Sequence, residues 1–131
     1  IDKIFADTTV KLLIRHESMD ADRLLAAARE VVGDLAEFTH SSTEGLLEVS
    51  APGVSKATTL AELCAERGID AADVIAFGDM PNDVEMLTWA GRSYAMGNAH
   101  PAVIAAASGR TVANNEDGVA VVIERILADR A

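Results

Sequence analysis

Two rhythms of apolar and polar residues divide the chain. Residues 10–14 are a β-branched and leucine run of strand character. Between Asp20 and Val32 the apolar positions Leu24, Leu25, Ala28, Val31 and Val32 recur at helical spacing, and Gly33 supplies a stop signal. Residues 35–40 and 46–49 flank the turn Ser41-Ser42-Thr43-Glu44-Gly45, which is a hairpin pattern. The first region therefore predicts β-α-β-β, a small antiparallel layer with one helix on it.

From Pro52-Gly53 onward helix and strand alternate. The spacing predicts a helix over 56–67, closed by Gly68, and a short buried strand over 74–77. A helix over 82–90 follows, with Val84, Met86, Leu87 and Trp89 as its apolar content and Gly91 at its end. Further strands are expected at 93–96 and 111–113, with a helix over 102–107 between them. In the last helix Val119, Val122, Ile123, Ile126 and Leu127 form one apolar stripe. Strand alternating with helix predicts the α/β class, with a Rossmann-like parallel sheet. The expected division is residues 1–50 and residues 51–131.

Composition narrows the function. The 131 residues suffice for one domain or for two small pieces of something larger, and 50% apolar content with mean hydropathy +0.18 marks a folded chain. Eleven Lys and Arg against 21 Asp and Glu give net charge −10, which argues against nucleic acid or an anionic membrane as partner. Any anionic substrate must then be drawn in by a local cation or metal. The single cysteine, Cys64, shares a predicted helix face with Leu60 and Leu63 and reads as a buried structural thiol. There is no signal-peptide pattern and no apolar run of membrane-spanning length, so the expected compartment is the cytoplasm. The chain opens at Ile1 without a Met, which reads as processing or a fragment.

Candidate chemistry gathers behind the 74–77 strand, in Gly78-Asp79-Met80-Pro81-Asn82-Asp83. In open α/β sheets ligands bind at the carboxyl ends of strands, and paired hard oxygens on one turn suit Mg²⁺ with a phosphate. The plainer alternative is that Asp79 or Asn82 only caps the next helix. Lys56 is the second candidate. It sits in the first turn of its helix, where the dipole disfavours a cation unless an anion compensates.

Four ordered motifs carry a resemblance: Gly53-Val54-Ser55-Lys56; Ala76-Phe77-Gly78-Asp79 with Asn82-Asp83; Ala95-Met96-Gly97-Asn98-Ala99; and Asn115-Glu116-Asp117-Gly118-Val119. In this order and spacing, over roughly residues 10 to 128, the chain resembles the C-terminal half of a Cof-type phosphatase of the haloacid dehalogenase superfamily. The resemblance implies a Rossmann-like core, of which 51–131 would be the latter half, and an α/β cap, of which 1–50 would be the latter part. It implies Mg²⁺-dependent hydrolysis of small phosphorylated metabolites through an aspartyl-phosphate. Lys56 would pair with the nucleophile and the phosphoryl group, and Asn82 would contact the phosphate or its neighbours. Asp79 would ligate Mg²⁺, and Asp83 would orient metal-bound water. Asn98, Asn114 and Asn115 would rim the same face without an assigned role, since turn chemistry explains an asparagine equally well.

One departure matters as much. The family's Asp-x-Asp nucleophile motif, expected after an apolar strand, is absent, as is its phosphate-holding Ser or Thr. The one Asp-x-Asp here, Asp20-Ala21-Asp22, has the composition of a helix start. The expectation is therefore a fragment, inactive alone, that associates with itself or with its missing half through an exposed strand edge. The alternative is a non-catalytic binding or assembly module. His16, His40 and His100 lack metal-ligand spacing and read as surface or strand-end histidines, and Met80, Met86 and Met96 as packing residues.

Overall fold

Asp20 starts the first helix because its side chain accepts a hydrogen bond from Arg23 N at 2.8 Å. The structure, a computed structural model, describes residues 9–42 and 44–129. Thr43 of the predicted turn, residues 1–8 of the first expected region and residues 130–131 of the second lie outside the described residues. The chain forms two compact units, Ile1–Ser55 and Lys56–Ala131.

In the first unit, helix α1 (Ala21–Val32) ends at Gly33, whose φ of 59° is the left-handed conformation glycine adopts without strain. Strands β1 (Leu12–Arg15), β2 (Glu37–Thr39) and β3 (Leu46–Ser50) pair antiparallel in the order β1-β3-β2. The register sets both Leu12 and Phe38 opposite Val49. Leu24 of α1 packs on Phe38 and Leu47, with Leu25, Ala28 and Val32 around them. Each such buried side chain contributes roughly 2 kcal/mol. Gly45 lets the hairpin approach the segment before α1, since a Cβ there would stand 2.1 Å from Met19 O.

His40 is the strand-end histidine of the two alternatives, directly behind β2, but it is not a surface one. It is 1% exposed, its Nε2 lies 3.0 Å from Asp22 Oδ1, and its Nδ1 lies 2.8 Å from Ser42 O. A polar ring held on both nitrogens can be buried without a desolvation loss, which single-residue spacing does not reveal.

The second unit begins with α2 (Lys56–Arg67), followed by β4 (Ile75–Gly78). A 3₁₀ turn at Pro81–Asp83 leads into α3 (Val84–Trp89) and β5 (Arg92–Ala95). Next come α4 (Pro101–Ala106), β6 (Gly109–Arg110) and α5 (Gly118–Ala128). Strands β4, β5 and β6 form a parallel sheet in that order, with Ala76 opposite Ser93 and Tyr94 opposite Gly109. Small side chains on the strands, Ala76 and Ala95, leave room for Leu87 of α3 and Val103 of α4 to fill the core. This is the expected α/β architecture, with helices connecting parallel strands.

Three local expectations change. The third strand lies at Gly109–Arg110 and not at 111–113. Ser108 clips β5 and β6 by bonding Ser93 N and Ser93 O, and Gly109 fits where a Cβ would stand 3.0 Å from the Tyr94 ring. Leu63 is exposed, so the buried residues of α2 are Ala57 and Cys64 and the thiol does not share its face with Leu63. The α5 stripe is present, but among its apolar side chains only Val122 is fully buried, while Val119, Ile123 and Leu127 are exposed. Among the described residues no helix is long and apolar enough to cross a membrane.

Candidate functional site

Asp79 directly follows β4, where the strand's last residue, Gly78, is buried. Pro81 begins the next turn of 3₁₀ helix, which brings Asp83 back under the strand end. The Asp83 carboxylate is 5% exposed, and its Oδ2 accepts from the backbone N–H of Asp79 at 3.0 Å and of Met80 at 3.2 Å. Its Oδ1 accepts from Lys56 Nζ at 2.5 Å. Gly78 permits this packing, because a Cβ there would stand 2.5 Å from Asp83 Cβ. The cation at the first turn of α2 thus has its anion, which answers the unfavourable dipole.

Lys56 keeps about half of its side chain exposed (49%), while Asp83 holds its ammonium. Asp79 is only partly buried, and its Oδ2 accepts from Asn114 Nδ2 at 2.8 Å. Among the described residues Asp79 Oδ1 has no hydrogen-bond partner. Asn82 Oδ1 is buried and likewise lacks a partner among the described residues. A buried carbonyl oxygen without a donor is an uncommon feature that a bound group or water explains.

Lys56, Asp79 and Asp83 therefore meet at one strand end, with Asn82 on the same turn. The two carboxylates are not equivalent. Asp83 spends both oxygens on protein donors, whereas Asp79 holds one hard oxygen in reserve, as a divalent cation requires of a ligand. Among the described residues no group of three or more His, Cys, Asp or Glu is placed to hold a metal. Asp79 alone fits as a direct ligand, and Asp83 fits as its support.

Sequence reasoning assigned no role to two further residues. Asn114 donates to Asp79, and Asn98 Oδ1 accepts from Asn114 N at 2.8 Å. A carboxamide just past a strand end was the one signal available, and it reads equally as turn chemistry.

Known proteins share the sequence and the fold that carry this geometry. The model of the haloacid dehalogenase-like hydrolase family matches residues 2–123. The chain belongs to that family. It is 44% identical over 105 residues to a 5-amino-6-(5-phospho-D-ribitylamino)uracil phosphatase of Escherichia coli (strain K12), covering 80% of this chain and 38% of that protein. With the HMP-PP phosphatase of Enterobacter sp. (strain 638) it shares 37% identity over 103 residues, 79% of this chain and 38% of the relative. A solved haloacid dehalogenase-like hydrolase from B. subtilis superposes with a TM-score of 0.80 at 27% identity, over 94% of this chain and 44% of that one. The chain spans 38% of the length of these two curated relatives.

Proposed function

We propose that Lys56, Asp79, Asn82 and Asp83 form the cation and metal side of a site that hydrolyses phosphomonoesters of small metabolites, such as sugar phosphates, nucleotides or phosphorylated cofactor precursors. The observation that carries this is the Lys56–Asp83 pair, locked onto the turn that presents Asp79. Lys56 offsets negative charge that builds on the phosphoryl oxygens, where a preorganised cation is worth most. Asp83 aims that ammonium and pins the Asp79–Met80 backbone. Asp79 would hold Mg²⁺, which when bound neutralises phosphate charge and orients the ester. The Asn82 carboxamide would contact the phosphate. The names of the relatives, phosphatases of a ribitylaminouracil phosphate and of HMP-PP, support the substrate class.

On this reading the attacking carboxylate comes from neither member of the one Asp-x-Asp pair in the sequence. Asp20 caps α1 and Asp22 bonds His40, so both members of Asp20-Ala21-Asp22 have structural work. In the full-length parent an aspartate outside these 131 residues would form the aspartyl-phosphate, and the chain alone is inactive. On this reading residues 1–50 belong to a cap and 51–131 to the core. Strand β4, an edge of its sheet among the described residues, pairs with a strand of another copy or of the missing half. The lack of the nucleophile motif in the sequence also supports a second reading, a non-catalytic binding or assembly module, against which the joint retention of Lys56, Asp79, Asn82 and Asp83 counts.

Coding sequence upstream of Ile1 separates the two: an apolar strand ending in Asp-x-Asp supports the hydrolase, and its absence supports the module. With that segment joined, p-nitrophenyl phosphate is turned over with Mg²⁺, and Asp79→Ala abolishes the turnover. Activity of the 131-residue chain alone, at verified intact mass and lost in Asp79→Ala, would overturn the assignment of the nucleophile. Light scattering tests association, and a monodisperse monomer with a cooperative melt refutes it.

A further inference from the structure

We propose that Asn98 and Asn114 are positioning residues for Asp79: the Asn98 carboxamide fixes the backbone of Asn114, and the Asn114 carboxamide holds Asp79 Oδ2, leaving Oδ1 for a divalent cation. This rests on the reading of Asp79 as the metal ligand. The three residues follow three adjacent parallel strands, β4, β5 and β6, so the sheet itself brings their loops together. His100 N donates to Asp79 O at 2.8 Å and Gly97 N donates to Val112 O at 3.1 Å, tying the loop that carries Asn98 to both of its neighbours. Gly97 allows that approach, because a Cβ there would stand 2.8 Å from Ala113 N. On the far side Ala113 N donates to Glu116 Oε2 at 3.1 Å, so the residue before Asn114 is anchored as well.

Two details set this apart from ordinary turn chemistry. An asparagine in an Asx turn bonds its own backbone two residues on. Asn98 instead reaches a residue 16 positions away, and Asn114 one 35 positions away. The chemical type also fits. A carboxamide N–H orients a carboxylate without cancelling its charge, whereas a lysine in place of Asn114 would neutralise Asp79 and repel the cation. Hydrogen bonds to metal-ligating carboxylates set ligand orientation, and their loss typically lowers metal affinity about tenfold or more.

The test uses the ¹⁵N-labelled 131-residue chain titrated with Mn²⁺, following paramagnetic broadening of the Asp79 and His100 amide signals, with Mg²⁺ as competitor. Asp79→Ala abolishes the broadening. Asn114→Ala, and the shape-matched Asn114→Leu, weaken Mn²⁺ affinity about tenfold with no change in melting midpoint, since Asn114 is exposed. Asn98→Ala weakens it less and speeds hydrogen exchange at Asn114 N, while Asn115→Ala changes neither. Broadening that survives Asp79→Ala overturns the metal reading and this inference with it. Broadening lost in Asp79→Ala but unchanged in both Asn114 variants overturns the positioning role alone. Exchange at Asn114 unmoved by Asn98→Ala removes Asn98 from the chain of contacts.

Discussion

Replacing Asp83 by asparagine separates its structural duty from that of Asp79. The carboxamide has nearly the volume of the carboxylate, and its oxygen could still accept the N–H groups of Asp79 and Met80. Those bonds would lose their charge assistance, which roughly halves them and removes about 1 kcal/mol. The new NH₂ group would then face Lys56 Nζ, placing donor against donor across the present 2.5 Å contact. Because Lys56 is half exposed, that lost attraction is discounted to about 1 kcal/mol. The expected destabilisation is therefore about 2 kcal/mol. Asp79→Asn keeps an oxygen for Asn114 at a solvated position and should stay within about 0.5 kcal/mol of the parent.

The assay is urea unfolding followed by fluorescence of Trp89, the single tryptophan, which lies at the end of α3 in the same unit. With a slope of about 1 kcal/mol per molar urea, Asp83→Asn lowers the midpoint by about 2 M and Asp79→Asn leaves it in place. Lys56→Met combined with Asp83→Asn should fall short of additive, because both remove one contact. Equal midpoints for the two aspartate variants would refute the claim that Asp83 holds the turn.

Gly78→Ala places a Cβ 2.5 Å from Asp83 Cβ. It should destabilise the second unit by about 1–3 kcal/mol in the same urea assay. His40→Ala leaves Ser42 O and Asp22 Oδ1 without their ring partner and should lower first-unit stability by about 1–3 kcal/mol, read by far-ultraviolet circular dichroism on heating. Asp20→Ala removes the α1 cap and should lower it by about 1 kcal/mol in the same scan, with Trp89 unfolding unchanged.

Much of the fold was legible because its signals are local. Helix α2 runs from Lys56 to Arg67 as its spacing predicts, and Gly33 stops α1 through its own backbone. What was not legible depends on partners distant in sequence. Strand β6 is set by the Ser93–Ser108 clip and by the Tyr94 ring over Gly109, and neither contact leaves a periodic trace. His40 is buried because Asp22, 18 residues earlier, meets its ring. The α5 stripe shows the converse limit: periodicity reports which face is apolar, not what covers it.

The site divides along the same line. Asp79, Asn82 and Asp83 lie within five residues, so one strand-to-helix turn gathers them whatever the rest of the chain does. That is why the motif could be read from order alone. Lys56 was marked by an electrostatic anomaly, a cation at a helix start, and the structure resolves the anomaly with Asp83. Asn98 and Asn114 offered no anomaly, since each suits a turn, and only the parallel order of β4, β5 and β6 carries them to Asp79. A neutral donor beside a carboxylate is therefore the kind of residue that sequence order hides and sheet order exposes. For the same reason the division of labour between the two aspartates is a structural result: both are acids on one turn, yet only Asp79 has an oxygen to spare.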